Sequence, residues 1–215
     1  PLKAVEFFKK TGVDALAISY GTMHGASKGK DVKLRRQIPI AIRECLNHEG
    51  IRGGLVSHGS STVPRYIVDE INALGGNIQN AHGISLEELK EAVKCGINKI
   101  NVDTDIRLAV TRNMKELFAG SPKLRESPSI GGVYCLLEEN KDQFDPRVFL
   151  PPVMDTVMYG NVPDGDVARL MECVEKGVKE AVGTLIVQFG AYGKAPLVKQ
   201  PTLEEMKEFY KNAGR

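Results

Sequence analysis

The sequence predicts an α/β protein built on a parallel sheet, and three observations lead there. Short apolar runs recur at Asp14–Ser19, at Leu55-Val56 after Gly53-Gly54, and at Lys99–Val102. Each is too short for a helix and apolar enough for a strand covered on both faces. Each follows a stretch with helical spacing of apolar residues, so helix and strand alternate three times. In such sheets the chemistry gathers at the carboxyl ends of the strands. There the sequence places His24, His58, and the pair Asn101 and Asp103.

In chain order, Leu2, Val5 and Phe8 share one face of a first helix, which Gly12 stops. The first strand, expected to be buried, runs into Gly21-Thr22-Met23-His24-Gly25, and a polar loop follows from Ala26 to about Arg35. A helix over Pro39–Asn47 leads through Gly50 to the second strand. That strand ends in His58-Gly59-Ser60-Ser61-Thr62, with Pro64 in the first turn of the next helix. Ile67, Val68 and Ile71 carry this helix to Gly75-Gly76. Ser85-Leu86-Glu87-Glu88 is a capping box for a helix that ends at Cys95-Gly96. The third strand finishes in Asp103-Thr104-Asp105, and its helix runs to about Ala119.

The remainder has a different character. Ser121–Val133, with two prolines and three serines, reads as a surface loop. Phe144-Asp145-Pro146 opens a short helical stretch. Val167, Leu170, Met171, Val174, Val178, Ala181, Val182 and Leu185 form the stripe of one long amphipathic helix. A last helix starts near Thr202, with Glu204 and Glu205 in its first turn.

Composition narrows the function. A net charge of +2, with 26% charged residues and no block of one sign, gives no field for nucleic acid. No apolar run is long enough to span a membrane. Cys45, Cys95, Cys135 and Cys173 are far apart, without a C-x-x-C pair, so free thiols in a reducing, cytoplasmic setting are expected. Pro1-Leu2-Lys3-Ala4 has neither an initiator Met nor a signal sequence, so a processed chain or part of a longer one is expected.

The candidate site starts at His58. A strand, a turn of small residues and a helix N-terminus make an anion site, and an imidazole stands beside it. One histidine at a strand end is ordinarily a hydrogen-bonding residue. Two, each followed by glycine, point to a metal, and neutral imidazole suits zinc. Catalytic zinc takes three protein ligands, and this pattern supplies two. His48 and His82 read as surface residues. Asp103 or Asp105 would serve equally as a helix cap. Ser60, Ser61 and Thr62 fit helix capping, and Lys28 fits an ordinary solvated lysine. Neither G-x-G-x-x-G nor a Walker A sequence is present.

Four ordered motifs resemble a known family. They are Thr11-Gly12-Val13-Asp14-Ala15-Leu16-Ala17, Gly21-Thr22-Met23-His24-Gly25, Ser57-His58-Gly59-Ser60-Ser61, and Lys99-Ile100-Asn101-Val102-Asp103-Thr104-Asp105-Ile106-Arg107. With Phe144-Asp145-Pro146-Arg147 and Phe189-Gly190 in the tail, the chain resembles the C-terminal portion of a class II, metal-dependent fructose-1,6-bisphosphate aldolase. The resemblance implies a TIM-type (β/α)8 barrel, of which this chain holds about the last three β/α units plus a C-terminal helical extension. Residues 1–120 would carry the metal and phosphate sites, and 121–215 a loop and helical extension of the same domain.

The resemblance also implies roles. His24 and His58 would be two zinc ligands. Gly25, Lys28, Gly59, Ser61 and Thr104 would hold the phosphate of dihydroxyacetone phosphate. Asn101 and Asp103 would act at the substrate carbonyl and hydroxyl groups, and Arg107 would meet the far phosphate. A monovalent cation, K+ or Na+, often accompanies the phosphate in the family. The reaction would be reversible cleavage of fructose 1,6-bisphosphate into two triose phosphates in a cytoplasmic homo-oligomer, dimer or tetramer. The Asn-Val-Asp-Thr-Asp run favours fructose over tagatose bisphosphate.

The sequence also departs from the family pattern. The family's catalytic Asp directly precedes its third zinc-binding His, and no Asp-His pair occurs here. The acidic residue of the family's mobile catalytic loop is expected upstream too. A barrel of this type takes about 250 residues, and three strands cannot close one. A fragment, or a numbering that omits the N-terminal half, is therefore expected. The 120–143 segment is longer than the family's link, reading as a surface loop or an oligomer contact. A non-catalytic phosphate-binding module and a structural role for the tail helix are the other functional classes.

Overall fold

Gly12 ends the first helix as its sequence position requires, and the chain then enters the sheet. In the computed structural model, which describes residues 1–23, 32–160 and 165–212, α1 spans Leu2–Thr11. Gly12 follows at φ 63°, donating its N–H to the Phe8 carbonyl. His24, Gly25 and Lys28, with most of the polar loop, lie outside the described residues.

The sheet has three strands in the order β1 (Ala15–Ala17), β2 (Gly54–Ser57) and β3 (Lys99–Ile100). Both pairings are parallel, with Leu16 beside Leu55 and Ser57 beside Ile100. Between β1 and β2 lies α2 (Gln37–His48). Between β2 and β3 lie α3 (Arg65–Ala73) and α4 (Leu86–Lys94). The expected helix–strand alternation and parallel sheet are therefore present. Among the described residues the three strands do not close into a barrel.

One expectation is corrected. β1 is short and its alanines are exposed, whereas burial on both faces was predicted. Leu16 packs with Leu55 against Val5, Phe8 and Leu46, so one face of the sheet is covered by α1 and α2. Among the described residues nothing covers Ala15 and Ala17 on the other face. Only the central strand, with Leu55, Val56 and Ser57 buried, has the environment expected of a parallel strand.

The helix after β3, α5 (Thr104–Gly120), is the hub of the rest. Its Leu108 and Ala109 pack with Ile67 and Ile71 of α3. Its Val110, Met114 and Phe118 join a second cluster with residues of α6 (Gly131–Glu139), α7 (Pro146–Phe149), α8 (Pro151–Tyr159) and α9 (Gly165–Gln188). The expected loop at 121–133 is corrected here. Pro122–Glu126 forms a 3-10 turn and α6 begins at Gly131, with Leu124, Ile130 and Val133 buried. Apolar spacing prevails over local breakers, because Pro122 stands at the start of its turn and Pro128 falls between the two elements. α10 (Leu203–Asn212) closes the described chain without a buried residue.

The capping box at α4 is half formed. Ser85 Oγ accepts the Glu88 N–H at 3.2 Å, but the Glu88 carboxylate turns to Arg36 at 2.6 Å and to the Leu34 N–H at 3.2 Å. It thereby ties α4 to the segment leading into α2.

Candidate functional site

The site is assembled where β2 and β3 end. The ladder continues one step beyond β3, with the Asn101 N–H donating to the Ser57 carbonyl at 2.9 Å. That step sets Asn101 beside His58, the residue after Ser57. The Asn101 Nδ2 amide stands 3.1 Å from His58 Nε2 and 3.2 Å from Nδ1, at the edge of an exposed ring. An imidazole and an oriented amide donor thus share one strand-end position. Gly59 follows at φ 64°, a left-handed value that a glycine meets at no steric cost.

The next turn is locked in both directions. Ser61 Oγ accepts the N–H groups of Asp103 and Thr104, at 3.2 and 3.0 Å. It thereby caps α5 from a different loop, whereas Asp103, in the N-cap position, makes no side-chain cap. In return Asp105, 3% exposed, accepts the Thr62 N–H (3.0 Å), the Thr62 hydroxyl (2.7 Å) and the Val63 N–H (2.8 Å). Val63 has φ 53°, an uncommon conformation for a β-branched residue, and Asp105 is what holds it. Gly83 closes the back: a Cβ there would stand 2.1 Å from the Thr62 carbonyl oxygen.

Both simple expectations for these residues are thus modified. Ser61 is a capping residue, but for α5 and not for the helix that follows it. Pro64, expected in the first turn of α3, takes the N-cap position instead and supplies no side-chain cap. Asp105 braces a loop and does not cap its own helix. The sequence offered no signal for this brace beyond an acidic residue in a first helical turn.

At the rim, Arg107 is shared between two carboxylates. Its Nε and Nη2 donate to Asp103 at 2.8 and 2.5 Å, and its Nη1 donates to Asp145 at 2.7 Å. Asp145 also accepts from the exposed Arg147 at 2.6 Å. Hydrogen bonding from the Arg147 side chain, helped by its backbone N–H and by the charge of Arg107, holds the Asp145 carboxyl below the usual value.

The structure therefore brings together His58, Gly59, Ser61, Asn101, Asp103, Thr104 and Arg107 at one end of the sheet. His48 is exposed at the end of α2 as expected, and His82 is half-buried. Among the described residues no group of three His, Cys, Asp or Glu side chains is placed to hold a metal. The exposed His58 imidazole has the chemistry of a metal donor, and the described residues supply no three-ligand group around it. The four cysteines are free thiols. Among the described residues no helix is long and apolar enough to cross a membrane. A largely apolar cavity of about 400 Å³, lined in part by Val63, Tyr66, Ile84 and Leu185, lies behind the locked turn and includes neither His58 nor Asn101.

Comparison with known proteins places the chain in a family. Residues 1–194 match the class-II fructose-bisphosphate aldolase family. A "Fructose-bisphosphate aldolase class 2" of Synechocystis sp. is 33% identical over 210 residues, covering 98% of this chain and 47% of that protein. A "Fructose-bisphosphate aldolase" of Giardia intestinalis is 33% identical over 212 residues, covering 98% and 52%. "Fructose-bisphosphate aldolase 2" of Cereibacter sphaeroides is 37% identical over 157 residues, covering 73% and 39%. The chain spans about half the length of the curated relatives it matches.

Proposed function

The chain belongs to the class II fructose-bisphosphate aldolase family, and from that premise we propose that it carries the carbonyl- and phosphate-binding portion of an enzyme that reversibly cleaves fructose 1,6-bisphosphate into dihydroxyacetone phosphate and glyceraldehyde 3-phosphate. The observation that carries this reading is the contact of Asn101 with His58, beside a turn whose Ser61 is fixed at the N-terminus of α5.

In this reading His24 and His58 contribute to the divalent metal site, with zinc preferred by imidazole. When bound, the metal supplies Lewis acidity that polarises the substrate ketone. The chain's own residues do the rest. Cleavage removes the proton of the C4 hydroxyl, and the C3–C4 bonding pair passes to C3, leaving the enediolate of dihydroxyacetone phosphate. Asn101, held by its backbone bond to Ser57, donates its amide toward the oxygen on which negative charge develops. Asp103 orients the substrate hydroxyl groups.

Ser61 and Thr104 stand at the start of α5, where the helix dipole favours a phosphate, and Gly59 belongs to the same site through the family resemblance. Gly25 and Lys28 belong to the same phosphate site through the family resemblance. Arg107 meets the second phosphate by exchanging a carboxylate partner for it. The same reading makes residues 1–120 the last three units of a TIM-type barrel with the remainder as its helical extension. It also includes a cytoplasmic homo-oligomer, a monovalent cation near the phosphate, and fructose as the sugar.

The test uses the full-length polypeptide. Fructose 1,6-bisphosphate cleavage should vanish with a chelator and return with zinc. Asn101→Ala should lower kcat by about 10²–10³-fold, the usual loss on removing one such donor. Chelator-resistant cleavage would sink the metal mechanism. No cleavage at all would leave the phosphate-binding module as the better reading.

A further inference from the structure

Beneath the His58 turn lies a chain of buried hydroxyl groups that the roles above do not use. Tyr20, Ser57 and Ser60 are 1%, 0% and 0% exposed. The Tyr20 hydroxyl is 2.5 Å from Ser57 Oγ, which is 2.6 Å from Ser60 Oγ. Ser60 Oγ in turn reaches the His58 carbonyl oxygen at 3.3 Å.

The direction of this chain follows from its last member. A carbonyl oxygen only accepts, so Ser60 spends its one hydroxyl proton on His58. Ser60 must then accept from Ser57, and Ser57, its proton committed, must accept from Tyr20. Tyr20 is the donor at the head of the chain. Burial pushes its phenol above the ordinary value, which keeps the donor protonated.

The position of Ser57 gives the chain its significance. Its side chain joins Tyr20, which follows β1, while its backbone carbonyl holds Asn101, which follows β3. One residue of the central strand therefore ties together the carboxyl ends of all three strands. Nothing about packing demands the phenolic oxygen, since the Tyr20 ring already sits in the core with Leu34, Leu46 and Ile84.

We propose that Tyr20 is a positioning residue whose hydroxyl, acting through Ser57 and Ser60, fixes the His58–Gly59 turn against the strand ends. Its kinetic consequence rests on the aldolase reading, whereas its structural consequence does not. The variants are Tyr20→Phe, which keeps the ring, Ser57→Ala, and the two combined, all in the full-length polypeptide.

Amide hydrogen exchange at Gly59 and Ser60 should accelerate about threefold to tenfold in either single variant, the scale of one net hydrogen bond. The double variant should accelerate no further, because both substitutions break one chain. Amides of α9, remote from the chain, should keep their rates. The kcat/KM for fructose 1,6-bisphosphate should fall by a similar factor. Uniformly faster exchange throughout the protein, additive effects in the double variant, or an unchanged turn would overturn the proposal. If the parent enzyme cleaves no sugar bisphosphate but the turn still loosens in Tyr20→Phe, the aldolase reading fails and the positioning role stands.

Discussion

Asp105 accepts from the backbone that follows Ser61, and Ser61 accepts from the backbone that precedes Asp105, so each holds the segment that carries the other. Truncating Asp105 strips three bonds from a buried carboxylate and leaves the Thr62 and Val63 N–H groups without acceptors. Asp105→Ala should therefore cost about 3 kcal/mol in urea unfolding, toward the upper range for charged acceptors. A loss under about 1 kcal/mol would show that Val63 holds its conformation without help. Asp145 gives a pH-dependent counterpart. Its carboxyl is held below the ordinary value, mainly by hydrogen bonding from Arg147, so its contribution is fully present above the unfolded value near pH 4. That contribution is lost as pH falls through the lower, folded value. Asp145→Asn should thus be less stable than the parent at pH 7, with the gap closing below about pH 4. An undiminished gap in acid would mean that the loss is steric. His58 and Asn101 were legible in the sequence because strand ends concentrate chemistry. Asp105 was not, since a carboxylate in a first helical turn has a sufficient local explanation and its real partners lie 42 and 43 positions away.

Among the elements, the crossing of α5 and α9 depends on one small residue. A Cβ on Gly177 would stand 2.8 Å from Val110 Cα and 2.9 Å from Val110 N, and backbone atoms cannot move aside as a side-chain tip can. Gly177→Ala should destabilise by about 1–3 kcal/mol despite the better helix propensity of alanine. Gly183, two turns on in the same helix, has nothing within 4 Å of its Cβ position. Gly183→Ala should stabilise by up to about 1 kcal/mol. Thermal unfolding of the pair checks both signs, and equal shifts would show that α9 does not press on α5 at Gly177. The long helix itself was legible from its stripe, and α4 from Ser85 and Glu88. α6 was not, because Gly131 and Gly132 beside Pro128 mark a loop locally. Only burial against α5 shows why Val133 and Leu137 stand in a helix, with Ile130 buried at its N-cap.

At the scale of the whole molecule, the sheet sets what these residues can do by themselves. Among the described residues β1 and β3 each pair on one side only, and Ala15 and Ala17 face no other element. Parallel strands are normally covered on both faces, and open edges are templates for association. Leu203, Met206 and Phe209 add an exposed apolar face on α10. The site has a matching deficit. On the proposed reading, two imidazoles would leave a zinc ion short of the three protein ligands usual in catalysis, so metal affinity should be weak. No carboxylate in the family motifs matches the general acid/base, which removes a further factor of about 10²–10⁴. The purified 215-residue chain should therefore scatter light above its 23.5 kDa monomer mass and show no measurable cleavage of fructose 1,6-bisphosphate. The full-length polypeptide should be active and chelator-sensitive. Monomeric behaviour of the 215-residue chain, with chelator-sensitive turnover matching the full-length polypeptide, would mean that the third ligand and the acid/base group are already among these residues. The carboxylates nearest the strand ends, Asp103 and Asp105, would then be the first to substitute.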